Sequence, residues 1–141
     1  MEYNNALEPN EEQITGSLAP GDDQPIYMLN LLKYKDKAEY ADGRKTELSG
    51  RDAYQIYGVG VIGRLAAVKG GIIFSGTVSR LMLGEVEELW DDVAIAMYPS
   101  RAAMLEMISS PEYQDIAVHR EAGLAGQLNI ETHAQFAASV N

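Results

Sequence analysis

Apolar and polar positions along this chain follow two periods, and the switches between them mark its elements. Ile26 to Leu32 is an apolar run broken only by Asn30, the pattern of a strand covered on both faces. A charged stretch from Lys33 to Glu47 reads as a long loop. After Ser49, Gly50 and Arg51, the residues Tyr54, Tyr57, Val61, Leu65 and Val68 recur at spacings of 3, 4, 4 and 3, which puts them on one helical face. Gly70 and Gly71 end that helix, and Ile72 to Leu83 reads as a second strand, with Gly76 marking a bulge or a close backbone approach. Glu85 to Asp92 is an acidic turn. Val93, Ile95 and Met97 alternate with Ala94, Ala96 and Tyr98, so the third strand is apolar on both faces. Pro99 and Ser100 stop it and cap a helix carrying Met104, Met107 and Ile108. Ser110 and Pro111 form an N-cap with an N1 proline, and Tyr113, Ile116, Ala117, Arg120 and Leu124 trace the face of the helix behind them. Leu128, Ile130 and Thr132 make a last short strand, followed by a tail at 134–141.

The order strand, helix, strand, strand, split helix, strand predicts an α+β fold, a ferredoxin-like βαββαβ sandwich with an antiparallel sheet and its helices on one side. The other side of the sheet is then bare and apolar. A second sheet is expected to cover it, most simply from an identical chain, which makes a homodimeric α/β barrel.

Composition agrees with one soluble domain. The 141 residues are 46% hydrophobic and 23% charged, with a mean hydropathy of -0.19. A net charge of -10 repels phosphate backbones, so neither nucleic acid nor an anionic membrane is expected as a partner. No run of 18 apolar residues occurs. The absence of cysteine removes disulfides, thiolate metal sites and a cysteine nucleophile, and the cytoplasm is the expected compartment. Residues 1–23 hold six acids and no Lys or Arg, without the basic start and apolar stretch of a secretory signal. They read as a dispensable acidic extension gripping the outside of the fold through Ile14 and Leu18, ahead of a domain at 24–133.

The segments MLNLLKYKD at 28–36, SGRDAYQIYG at 49–58, WDD at 90–92, YPSR at 98–101 and SPEYQDIAVHR at 110–120 resemble the domain-of-unknown-function 1330 family of the dimeric α/β-barrel superfamily. The resemblance runs from about residue 24 to 132. The family's shorter pattern has Phe at the position of Tyr98 and lacks the 33–47 insertion, which places this chain in a longer branch. A homodimer is implied, with a cleft between sheet and helices in each subunit and no established activity. Arg120 matches the arginine that closes the family's SPEY helix.

Gly58 to Gly63 spells GxGxxG, but a dinucleotide site needs that motif to open a long helix after a strand, with an acid ending the next strand. Neither context is present, so no nucleotide cofactor is expected and the glycines read as close packing. Arg120 carries a permanent cation on an apolar helical stripe and must meet a carboxylate, a carbonyl or an anionic ligand. Beside it, His119 either pairs with Asp115 on the helix surface or, with an ordinary pKa near 6.5, moves a proton in catalysis. Asn30 is a backbone clamp or a pocket hook. Tyr57, Trp90, Tyr98 and Tyr113 suit both a core, the first expectation for most of them, and a small-molecule cleft, and Trp90 shares strand parity with Tyr98. The carboxylates from Glu85 to Asp92 read as a solvated turn, and two histidines without cysteine predict no transition metal. Two readings of the cleft follow. One is a non-catalytic binding module for a small acid or carbonyl compound; the other is a cofactor-free enzyme, of isomerase or oxygenase type, using His119 and Arg120.

Overall fold

The computed structural model describes residues 5–18 and 24–136. In chain order its elements are α1 (Glu11–Leu18), β1 (Ile26–Tyr34), α2 (Gly50–Ala67), β2 (Gly71–Thr77), β3 (Asp92–Tyr98), α3 (Arg101–Ile108), α4 (Pro111–Gly123) and β4 (Leu124–Thr132). The four strands form one antiparallel sheet in the order β2-β3-β1-β4. With α2 linking β1 to β2 and the α3–α4 pair linking β3 to β4, this is the ferredoxin-like α+β sandwich. The tail is described only as far as Phe136, and the side chain of Leu18, half of the grip assigned to the N-terminal extension, lies outside the described residues.

Serines start the helices because each supplies an acceptor to an amide that the first turn leaves unpaired. Ser49 Oγ accepts from Asp52 N–H at 3.0 Å, Ser100 Oγ from Ala103 N–H at 3.1 Å, and Ser110 Oγ from Tyr113 N–H at 3.1 Å. Each such cap is worth about 1 kcal/mol.

Three strand limits depart from the apolar pattern: β1 runs on through Lys33 and Tyr34, the first two residues of the charged stretch, because both still pair with β4. β2 ends at Thr77, short of Leu83, because Thr77 stands opposite Asp92, where β3 begins. Past Thr77 the ladder closes with one bond, Val78 N–H to Asp91 O at 2.9 Å, and Met82 and Leu83 are exposed although apolar. The irregularity in β2 falls between Ile72 and Phe74, while Gly76 lies against the Phe74 ring. β4 starts earlier than its alternation indicates, at the fully buried Leu124, because α4 passes into the strand without a loop.

On one face of the sheet Ile26, Met28, Ala96 and Tyr98 pack with Tyr57, Val61, Leu65 and Met107 of the helices. The alternate positions, Leu29, Leu31, Ile95, Met97 and Leu128 with the exposed Phe74 and Ile130, make the opposite face, which is open in the single chain.

The glycine series lies inside α2, so its amides serve the helix ladder and are not presented at a helix start. Only Gly60 makes a close approach, and it is helix to helix: a Cβ there would sit 2.9 Å from Ile116 Cγ2. Gly58 and Gly63 face open space.

Candidate functional site

A cavity of about 1010 Å³ opens beside this packed core, between the helix-facing side of the sheet and α2, α3 and α4. Residues 6–9 with Gln13, Ile14 and Gly16 form part of its wall. The N-terminal extension is thus a component of the cleft.

The polarity of the cavity follows from a donor-only group. Arg120 projects from α4 and donates through Nη2 to the Leu7 carbonyl at 3.0 Å and to Gln127 Oε1 at 2.5 Å. Because guanidinium cannot accept, Gln127 must turn its oxygen to Arg120 and its amide nitrogen away. Gln127 Nε2 therefore donates to Asn30 Oδ1 at 2.7 Å. Asn30 Nδ2 in turn faces the carbonyls of Met28 at 3.2 Å and Ala94 at 3.3 Å. Asn30 serves as clamp and cavity group together, for it also lines the space. Among the described residues, no carboxylate lies within 4.0 Å of Arg120. Among those residues its cation meets two oxygens, both neutral.

Aromatic groups make another wall. Tyr54, Tyr57, Tyr98 and Tyr113 line the cavity, with ring centroids 5.3 Å apart for Tyr54 and Tyr57 and 5.9 Å for Tyr57 and Tyr113. The Tyr57 and Tyr113 hydroxyls lie 3.0 Å apart. Burial pushes the Tyr54 phenol up to about 12 and drives Tyr57 and Tyr98 higher still, so these groups stay protonated donors near neutral pH. Elsewhere on the lining, Arg101 holds Glu131 in a bidentate pair at 2.6 and 2.8 Å, and that contact keeps the Glu131 carboxyl below the ordinary carboxylate range.

Five residues singled out in the sequence, Arg120, Asn30, Tyr57, Tyr98 and Tyr113, thus gather around one cavity. Two others do not line it. Trp90 precedes β3, which starts at Asp92, so the strand parity linking it to Tyr98 is absent. His119 turns toward the 36–49 loop, where Nδ1 lies 2.7 Å from the Tyr40 hydroxyl and the two rings meet edge to face at 5.5 Å. Its partner is Tyr40, where the sequence pointed to Asp115. Gln127, Arg101, Glu131 and the N-terminal wall carry no signal of their own in the sequence. Gln127, Asn129 and Glu131 do alternate with Leu128, Ile130 and Thr132, which marks a strand with an inward polar face.

The acidic run near β3 disperses to separate partners: Asp91 accepts from Tyr34 N–H, Asp92 from Tyr34 Oη–H and Arg51, and Glu88 pairs with Lys33. Among the described residues no group of three or more His, Asp or Glu is placed to hold a metal ion, and no helix is long and apolar enough to cross a membrane.

Burial first, and the nearby Arg44 charge second, depress the His119 pKa below 6.5. The unfolded chain therefore takes up this proton first as pH falls, so the stability tied to neutral His119 is complete above pH 6.5 and is lost as pH drops through the folded value. Thermal unfolding followed from pH 7.5 to 5 is expected to show a decline that is shallower in His119→Phe. Identical declines in both proteins would remove His119 as its source.

The sequence pattern of the family described as "Domain of unknown function (DUF1330)" matches residues 44–132, more than half of the chain. The chain belongs to this family. The match starts after β1, later than the resemblance read from residue 24. No curated protein matches the chain. Of the family's fold, the methylated RPA0582 protein is 32% identical over 96% of this chain and 98% of its own, with a TM-score of 0.84. A second RPA0582 structure, of a protein of unknown function from Rhodopseudomonas palustris, is 30% identical over 95% and 100% of the two chains, also at 0.84. A hydroxynitrile lyase from Passiflora edulis is 14% identical over 83% and 100%, at 0.54, and shares the fold alone.

Proposed function

We propose that this protein is a homodimeric small-molecule-binding domain whose cleft takes a small, largely apolar compound bearing a carboxylate or carbonyl oxygen, anchored by Arg120. One observation carries the reading: a half-buried guanidinium borders a large cavity and, among the described residues, is met only by neutral oxygens, the Leu7 carbonyl and Gln127 Oε1. A charge so placed gains from an anionic oxygen what water and neutral dipoles supply less well. Asn30 holds Gln127, and the tyrosine wall contributes apolar area with polar tips.

Catalysis by His119 has no comparable support, because that imidazole is engaged by Tyr40 away from the cavity lining. The dimer is supported by the apolar open face of the sheet, which a second sheet would remove from water.

Calorimetric titration with decanoate is expected to show saturable binding, weakened about 10- to 100-fold by Arg120→Gln, the worth of a charge-assisted hydrogen bond. The variant should keep its thermal midpoint and a light-scattering mass of two chains. Equal affinity in both proteins would overturn the anchor, and a monodisperse mass of 15.4 kDa would overturn the dimer.

A further inference from the structure

The cavity has a second polar pole that Arg120 does not serve. Tyr57 and Tyr113 hold two hydroxyl protons between them, and their mutual contact at 3.0 Å uses one. The other has no acceptor among the described residues, and neither has the hydroxyl of Tyr98, whose side chain lines the cavity while the residue is only 7% exposed. Both protons open into the cavity, where a group rich in lone pairs would meet them in place of water. Tyr57 and Tyr98 remain donors, because burial holds their phenols protonated.

The spacing of the two poles is set by α4. Tyr113 and Arg120 are seven residues apart on one helix, hence on one face two turns apart, about 10 Å along the axis. Ala117, also on the lining, stands between them as a small apolar step.

We propose that the ligand of this cleft is an oxo acid, with a carboxylate on Arg120 and, about 10 Å away across an apolar spacer, a carbonyl oxygen accepting from Tyr98 and the Tyr57–Tyr113 pair. This rests on Arg120 being the anion anchor. Charge is recognised at one end and a neutral acceptor at the other, because a donor wall without a cation favours a carbonyl over a second carboxylate. A plain fatty acid leaves the tyrosine protons unmet.

Two probes of equal length separate the claims: decanoate, and the same chain bearing a ketone beside its terminal methyl. The unmodified protein is expected to bind the keto acid at least about tenfold more tightly, the worth of one buried hydrogen bond. Tyr57→Phe, Tyr98→Phe and Tyr113→Phe combined should bring the ratio of keto-acid to decanoate affinity down to about one, and Arg120→Gln should weaken both acids equally and leave that ratio unchanged. Tyr98→Phe alone, which keeps every ring in place, should reduce the preference if the triple variant does not fold. If decanoate binds through Arg120 but the ketone adds nothing, or its gain survives loss of the hydroxyls, the oxo-acid proposal falls and the anion anchor stands. If neither acid binds, both fall.

Discussion

Gly50→Ala is expected to destabilise the fold by about 3 kcal/mol, at the upper end of what overpacking costs. A Cβ at Gly50 would run into the Lys35 carbonyl oxygen and lie 2.6 Å from the Gly123 carbonyl and 2.7 Å from Lys35 N. All three are backbone atoms and cannot rotate aside. They belong to a junction where the end of β1, the start of α2 and the end of α4 are tied by Lys35 N–H to Gly123 O at 2.8 Å and Gly50 N–H to Lys35 O at 3.1 Å. Because Arg120 sits three residues before Gly123, this junction also sets where the guanidinium enters the cavity. Gly63→Ala, in the same helix but facing open space, is expected to stabilise by about 1 kcal/mol through helix propensity. Urea unfolding of the two variants measures both, and a Gly50→Ala midpoint equal to wild type would remove the junction from the account.

Gln127→Leu is expected to cost about 2 kcal/mol, despite the apolar gain of leucine in a position only 7% exposed. The substitution strips the donor from Asn30 Oδ1 and an acceptor from Arg120 at once. Gln127→Glu makes the complementary test, since it presents a carboxylate to Arg120 in the place proposed for the ligand's charge. Decanoate binding should then be lost by at least tenfold while the protein stays folded. Chemical denaturation of the first variant and titration of the second decide the matter. Wild-type stability together with wild-type binding would show that the relay holds neither the fold nor the anchor.

Much of this was legible because it is local. The helix starts at Ser100 and Ser110 depend on a hydroxyl and an amide three residues on, and the α2 face from Tyr54 to Leu65 depends on helical pitch. The α+β order and the two-faced apolar sheet follow from periods alone. Arg120 was legible as a charge out of place on its stripe, and Asn30 as an amide interrupting an apolar strand.

Other features required the assembled chain. His119 and Arg120 are adjacent in sequence, but successive residues on a helix point about 100° apart, so one reaches Tyr40 and the other the cavity. The end of β2 at Thr77 depends on where β3 begins, since pairing sets a strand's length as much as its own pattern does. Gln127 meets Asn30 and Arg120 only because β4 lies beside β1 in one register while α4 lies above both. Sequence by itself determined the order of helices and strands from Ile26 to Thr132, which faces are apolar and that Arg120 needs an oxygen. The tertiary structure decided which oxygens those are, a glutamine's and an N-terminal carbonyl's, because hydrogen-bond partners far apart in the chain are chosen by register and packing rather than by spacing.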